Sequence, residues 1–508
     1  MRYLDLAVIA VYLVGITWFG ARFRRTQRTL KDYFLGGRAA PWWAIALSIV
    51  SAETSTLTII GTPALAFAGN LGFLQVVFGY LLGRIVISAV FLPHYFRGEL
   101  YTAYELIGRR FGHRARKVTA GTFLVLRALA EGVRVFAISM VVSIVLGTGE
   151  LASITLIVCL TLFYTFEGGM TAVIWTDVVQ MFLYVAGAIV SFSVILAHVP
   201  GGWGEVWSVA AAAGKLQLFD FRFAFTPEFF SRTYSFWAGL IGGCFLTTAS
   251  HGTEQLLVQR LLAARSQRES RAALLGSWVV IFIQFSLFLF IGLALYVFYA
   301  GAGLPAPQPA DRIYPEFVWR YLPPGVAGLV VAAILAAAMS NLSAALNSLA
   351  STSIMDFYKP LVEGLSKKPG DTPASRWGAE TPSNEPGVSP VFSEAHYLRM
   401  ARAATIVWGA VLLAIGYLAR KWGSVLETGL SIASVIYGAL LGVFLLGVLT
   451  RRVGEKAAMA GMAAGLIAMA AVKLETSVAW TWYVLIGTTV TFAAGCLASL
   501  FRKREARG

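Results

Sequence analysis

The chain has 508 residues, 57% of them apolar and only 13% charged, about half the charged share of a soluble domain. That balance excludes a disordered chain, a fibrous chain and an ordinary cytosolic enzyme. Long apolar runs recur from end to end, so lipid is the solvent for most of the molecule. The net charge of +15 falls in short Lys/Arg clusters between those runs, the pattern of cytoplasmic loops rather than of a nucleic-acid surface.

In chain order, the hydropathy predicts thirteen spans, at roughly 3–21, 42–67, 72–96, 118–147, 151–166, 172–198, 236–258, 275–300, 326–355, 398–418, 426–449, 456–472 and 478–501. The first is followed by Arg22, Arg24, Arg25, Arg28 and Lys31. A secretory signal has the reverse order, so this span is expected to be retained. Further basic clusters lie at Arg97–Lys117, Arg260–Arg271 and Arg451–Lys456, and in the tail from Arg502. All fall on one side if the N-terminus is outside the cell membrane and the C-terminus is cytoplasmic. The loops near Asn70 and Gly147–Glu150 are poor in Lys and Arg. Residues 200–233, with Trp203 and Trp207, are expected along the outer interface. Residues 359–396 are rich in Pro, Gly, Ser and charge and read as a flexible cytoplasmic connector, not a domain. Cys159, Cys244 and Cys496 lie inside apolar runs and have neither disulfide nor metal-ligand spacing.

Polar groups inside a span are costly and therefore informative. The second span carries Ser48, Ser51, Glu53, Thr54, Ser55, Thr56 and Thr58, then Gly61-Thr62-Pro63. A helix broken here exposes carbonyls that suit a hard cation. The bland alternative is a hydroxyl-rich packing face with Glu53 paired to an Arg. In the fourth span Arg127, Glu131 and Arg134 share one face. An Arg127–Glu131 pair holding helices together leaves Arg134 unpaired, and its planar fork suits a carboxylate. Asp177 lies two turns into the sixth span, as part of a site or as a paired structural carboxylate. The seventh span holds Thr247, Ser250 and His251 among small polar groups, and His251 reads equally as a ligand or a satisfied core residue. In the ninth, Ser340, Ser343 and Asn347 share a face, with Asn341 beside them and Ala337 one turn earlier. Such an all-oxygen set without a local carboxylate suits a monovalent ion better than a divalent one.

With those residues in view, the chain resembles the sodium:solute symporter family, carriers of sugars, proline, sialate, iodide, vitamins and monocarboxylates. The resemblance covers roughly residues 3–450. It rests on Pro41-Trp42-Trp43, on Gly168-Gly169 through Trp175-Thr176-Asp177, on Gln259-Arg260, and on Ala337 through Asn347-Ser348. It implies an all-α integral membrane fold with a leucine-transporter-like core of two inverted five-helix repeats. Repeat one is placed at 42–198 and repeat two at 236–449. Around them lie an extra helix and basic loop at 1–41, an external loop at 199–235 and two further helices at 450–508. It implies a sodium site at Ser51, Thr54, Ala337, Ser340 and Asn341, where Asn341 departs from the family's hydroxyl. A second sodium at Asp177, Ser340 and Ser343 lacks the hydroxyl at Ala344. The sugar carriers' contacts are mostly missing, with Leu57, Thr58, Ser250 and Leu430 in their places. Arg134 matches the Arg that holds the carboxylate in sialate carriers.

The resulting expectation is sodium-coupled symport of a small organic anion by alternating access. The solute would bind near Ser55, Thr58, Arg134, Thr247, Ser250 and His251, and Glu53, Arg127 and Glu131 would serve as structural or coupling charges. Sodium, one ion or two, is the only cofactor. The chain is expected to act as a monomer in the bilayer, with no nucleic-acid partner. The alternatives are a neutral sugar, polyol or amino acid as solute, or a sensor or leak channel on the same scaffold. The sequence holds no HExxH, GxSxG or Walker motif for a membrane-embedded enzyme.

Overall fold

The computed structural model describes residues 3–23, 29–98, 100–146, 149–308, 310–365, 393–419 and 425–505. Every expected span falls on helix, and the described residues form no sheet, only one parallel bridge between Ala40 and Ala264. The chain opens with α1 (Tyr3–Ala21) and the short α2 (Leu30–Leu35), then α3 (Trp42–Glu53) and α4 (Thr56–Ala68). Next come α5 (Leu74–Val86), running through a π turn into α6 (Leu92–Tyr95), then α7 (Ala103–Phe111), α8 (His113–Leu146) and α9 (Glu150–His198). Outside them lie α10 (Gly202–Ala212) and α11 (Pro227–Ser231). The second half holds α12 (Gly243–Gly252), α13 (Gln255–Leu262), α14 (Gln267–Gly301), α15 (Ile313–Tyr321), α16 (Val326–Thr352) and α17 (Lys359–Leu365). Last are α18 (Glu394–Ala419), α19 (Val425–Leu449), α20 (Glu455–Glu475) and α21 (Tyr483–Glu505).

Eight described helices are long and apolar enough to cross a membrane, and the bent pair α3–α4 makes a ninth. Thirteen crossings are not reached by apolar length alone. Leu151–Phe163 and Ala433–Leu449 are shorter apolar stretches, and α8 carries three charges in its middle.

Three helices are interrupted for local reasons. The hydroxyls of Ser51–Thr58 compete with the helix for backbone partners. Thr54 and Ser55 are extended, and a reciprocal Ser55–Thr58 capping box starts α4, bent 63° from α3. The seventh expected span also breaks, at Thr253 and Glu254 between α12 and α13, a break the sequence reading did not expect. The fifth and sixth spans have no loop between them. Within α9 the helix is kinked at Gly169, whose φ of 54° and ψ of −151° only glycine adopts cheaply. The π turn Ser353–Tyr358 carries α16 onward, and α17 stays helical to Leu365. Residues 359–365, expected as part of the connector, are helix, and residues 366–392 lie outside those described.

The span built on α16 is the axis of the bundle. Its most apolar stretch is 94% buried, against 22% for α1, so the polar side chains of α16 face protein and not lipid. It packs against α9, α8, α3, α1 and α18. The basic loops meet at one end. Arg265 bonds the Ala39 carbonyl, Gln259 the Phe34 carbonyl, Arg110 the Thr450 and Val453 carbonyls, and Glu455 the Ala115 N–H. At the other end Lys215 donates to the Phe67 and Gly69 carbonyls at the end of α4. Trp203 packs on Phe192 and Phe290, with Trp207 half exposed beside it.

Candidate functional site

The break after α3 faces the middle of α16. The Ser51 and Ser340 hydroxyl oxygens lie 2.7 Å apart, both fully buried. The Ser55 N–H turns to Thr58 Oγ1 at 3.2 Å, away from the Ser51 carbonyl one turn earlier. Asn341 Nδ2 donates to the Thr54 carbonyl at 2.7 Å and to the Ala337 carbonyl at 3.1 Å. Gln284 Nε2 donates to Thr54 Oγ1 at 2.7 Å. All five residues expected to hold sodium therefore converge, with carbonyl and hydroxyl oxygens, the Asn341 amide presenting its nitrogen, and no carboxylate directly among them. That set fits a monovalent hard cation.

Asp177 stands one step away. Its Oδ1 accepts from Ser340 Oγ at 2.7 Å. Its Oδ2 accepts from Ser48 Oγ at 2.5 Å and Arg260 Nη2 at 2.7 Å. Asp177 and Arg260 are fully buried, and a buried carboxylate needs such a countercharge. The pair is the one the bland reading anticipated, with a partner that reading did not name. Ser343 is turned to the Ser340 carbonyl at 2.9 Å, and Ala344 is buried beside it without a hydroxyl.

On α8 the expected pair is present, with Arg127 Nη2 2.6 Å from Glu131 Oε2. The expectation that Arg134 is left unpaired is corrected. Its Nη1 lies 3.1 Å from the same Glu131 oxygen, because i, i+3 spacing reaches that carboxylate as well. The network continues beyond α8. Arg127 Nη1 reaches Glu254 Oε1 at 3.2 Å, and the Tyr437 hydroxyl donates to Glu254 Oε2 at 2.5 Å. Glu254 comes from the break between α12 and α13, so this network ties α8 and α19 to the second broken helix. Arg134 alone keeps substantial access, its side chain 30% exposed. With Ser55, Thr56, Ile138, Ala338 and Asn341 it lines a narrow cleft between α4, α8 and α16. The free interior is about 10 Å³, room for roughly one water, so an organic solute enters only when these helices move apart.

The expected solute residues divide into two groups. Ser55 and Arg134 line the cleft, and Thr58 is tied to Ser55 as its cap. Thr247, Ser250 and His251 lie instead with a second buried charge cluster. Glu53 Oε2 accepts from Arg84 Nη2 at 2.5 Å and lies 3.3 Å from His251 Nε2, while Ser250 Oγ meets His251 Nδ1 at 2.8 Å. Arg84 also donates to Ser277 Oγ, and Thr247 packs against α5 at Gly83. The paired reading of Glu53 and the satisfied-core reading of His251 thus describe their contacts. Leu57 and Leu430 have side chains outside those described. Sequence reasoning missed Arg84, Gln284 and Tyr437. Arg84 could have been found, as a lone cation in a 22-residue apolar run.

The profile of the sodium:solute symporter family matches residues 33–369. The sodium/sialic acid symporter of Proteus mirabilis is 27% identical over 505 residues, covering 98% of this chain and 95% of the relative. The human sodium/iodide cotransporter is 28% identical over 475 residues, 91% of this chain and 68% of the relative. The solved substrate-bound, outward-open structure of a Na+-coupled sialic acid symporter superposes with a TM-score of 0.83 at 26% identity, covering 98% of each chain. The fold is accordingly the leucine-transporter-like one, with two inverted five-helix repeats at its core. The chain belongs to the sodium:solute symporter family and is a multi-pass membrane carrier, not an enzyme.

Proposed function

We propose that this chain couples the downhill entry of sodium to uptake of a small organic anion by alternating access. The observation that carries this reading is the meeting of the α3–α4 break with α16. The Thr54 and Ala337 carbonyls converge there within reach of Asn341, beside the paired hydroxyls of Ser51 and Ser340. Sodium would be held by Ser51, Thr54, Ala337, Ser340 and Asn341. The solute would enter the cleft at Ser55, Thr56 and Arg134, its carboxylate drawing the guanidinium away from Glu131. Both relatives above are named for anions, sialic acid and iodide, which accords with a cationic Arg134 at the cleft. An inward gradient supplies about 2.3 kcal/mol per charge per 100 mV besides the concentration term.

One sodium per cycle is the simpler stoichiometry. Asp177 already has Arg260 as countercharge, and a second ion at Asp177, Ser340 and Ser343 would sit beside that guanidinium. Repeat one would be residues 42–198 and repeat two 236–449, each opening with a broken helix. The gathering of basic loops at one end supports a cytoplasmic C-terminus and an external N-terminus. Nothing in the site requires a second copy of the chain, and we take the monomer as the working unit.

Uptake into proteoliposomes tests this, with sialate, lactate, iodide and glucose offered under inward sodium or potassium gradients. Accumulation of a carboxylate in sodium alone is expected, and equal uptake in both gradients would sink the proposal. The Arg134–Glu131 bond favours a second reading, carriage of a neutral sugar, polyol or amino acid with Arg134 facing no substrate. Under it, Arg134→Ala would transport at unchanged affinity.

A further inference from the structure

The observation that the reading above leaves unexplained is the orientation of Asn341. Its side chain is 2% exposed. Its nitrogen donates to two backbone carbonyls, Thr54 and Ala337, that belong to different helices. Its oxygen Oδ1 is buried and has no hydrogen-bond partner among the described residues. An orphaned buried amide oxygen is destabilising, and the arrangement leaves a free acceptor at the edge of the ion position. The opposite orientation would bring Oδ1 toward the two carbonyl oxygens. Three oxygens would then face one another with no proton between them, and only a cation could hold them together.

We infer that Asn341 is a two-position amide latch on the ion site. With nitrogen inward it ties the α3–α4 break to α16 through the Thr54 carbonyl, donates a second bond within α16 to the Ala337 carbonyl, and stands where an alkali ion would bind. With oxygen inward it is itself an ion ligand, and an ion must be there. Sodium therefore does not simply add to this site. It replaces an internal donor, turning the amide about its Cβ–Cγ bond and relieving the orphaned oxygen in the same movement. The inference rests on the sodium-coupled reading above and assigns Asn341 a role in setting ion affinity. A serine or threonine hydroxyl here could not do the same. It donates one proton rather than two, and α16 offers it the Ala337 carbonyl one turn back as its partner.

The test is sodium binding to the purified full-length protein, read by thermal shift in a sodium titration against choline at constant ionic strength. Asn341→Ser keeps an oxygen ligand and removes the second donor. Asn341→Asp keeps the shape, supplies an oxygen ligand and removes both donors. Each lost hydrogen bond opposes sodium less, so the Ser variant should bind sodium about tenfold more tightly than the native chain. The Asp variant should be purified in sodium, should lose thermal stability on its removal, and should show the largest sodium-dependent shift of the three. Asn341→Ala removes donor and ligand together and should bind sodium more weakly than Asn341→Ser, which separates the latch from a mere change in packing. Native-like sodium affinity in both the Ser and Asp variants overturns the latch while leaving sodium coupling intact. If the native chain responds to sodium neither in binding nor in uptake, the sodium reading fails and the latch falls with it.

Discussion

Ser51 and Ser340 stand 289 positions apart in the sequence, and their hydroxyl oxygens meet at 2.7 Å in the centre of the bundle. Ser340 also donates to Asp177, so one hydroxyl joins the broken helix, the axial helix and the Asp177–Arg260 pair. Replacing Ser340 by Ala removes a ligand of the proposed sodium position and a donor from Asp177. Apparent sodium affinity should fall by about tenfold or more, the equivalent of one or two lost hydrogen bonds. Sodium titration of initial uptake rates measures this, and an unchanged half-saturation concentration would show that the ion lies elsewhere.

Arg134 is the cation of the α8 network with side-chain access to the cleft. If it receives the solute's carboxylate, Arg134→Ala should raise KM for that anion by about 10–100-fold, the range of a charge-assisted hydrogen bond. Arg134→Lys should recover part of the loss, since a point charge lacks the two-pronged geometry. Sodium affinity measured by thermal shift should move little in either variant. Initial-rate kinetics at saturating sodium decide the matter.

Arg127 is a different kind of group. It is the shared partner of Glu131 and Glu254, and all three side chains are nearly inaccessible. Arg127→Met would leave Glu131 with Arg134 alone and strip the buried Glu254 of its guanidinium. The expected loss is about 3–5 kcal/mol, visible as a large fall in melting temperature or as failure to express. Tyr437→Phe removes one donor from Glu254 and should cost about 1–3 kcal/mol. Arg127→Met/Glu131→Leu/Glu254→Leu, which clears the charges together, should melt above Arg127→Met alone.

The segment around Asp220 offers a pH test. Asp220 accepts from the Arg222 side chain through both carboxylate oxygens, at 2.7 Å each, and from the Arg222 N–H at 3.2 Å. Its backbone is pinned by Gln75 and by Phe236. The hydrogen bonds from Arg222, with the charges of Arg222 and Arg232, hold its carboxyl below the usual aspartate range. A depressed folded value contributes order that is full above the unfolded aspartate range, near pH ~4, and is lost as pH falls through the folded value. Relative to the intrinsic rate, which itself slows in acid, amide exchange across residues 217–225 should therefore stay slow at neutral pH and accelerate in acid. Arg222→Ala should move that acceleration to higher pH, and coincident profiles for the two proteins would remove the explanation.

Much of this was legible in the chain because lipid makes polar residues rare and therefore visible. The Ser51–Thr58 hydroxyls mark the first break, and the Arg127–Glu131 pair follows from helical spacing alone. What spacing cannot supply is a partner on another helix. Arg84 for Glu53, Arg260 for Asp177 and Arg127 for Glu254 are joined only by the fold, and each turns a seemingly free charge into a neutralised one. The second break, at Thr253 and Glu254, was hidden because a run of small polar residues reads the same along an intact helix as along an interrupted one. Arg134 shows the limit most plainly. Its bond to Glu131 lies within the i, i+3 rule, yet a carboxylate can serve two guanidiniums, and counting pairs one to one concealed it.

The close contact of α5 with α12 gives the last prediction. A Cβ built on Gly83 would lie 2.7 Å from the Cys244 carbonyl oxygen and 2.7 Å from Thr247 Cβ. One on Gly79 would press the Gly239 carbonyl oxygen, and one on Gly243 the Val76 carbonyl oxygen. These are backbone atoms that cannot rotate away, so the two helices touch through glycine as small-residue membrane interfaces do. Gly83→Ala forces α12 outward, and α12 carries His251 and leads into the Thr253–Glu254 break. Overpacking of this kind costs about 1–3 kcal/mol. Thermal stability should fall by that amount, and because the Glu53–His251 contact lengthens with it, transport should decline even in the folded fraction. Gly276→Ala, where a Cβ meets only the Trp42 ring edge at 3.3 Å, should be tolerated far better. Equal melting temperatures for the two variants would show that α5 and α12 have slack between them and that their spacing does not set the position of His251.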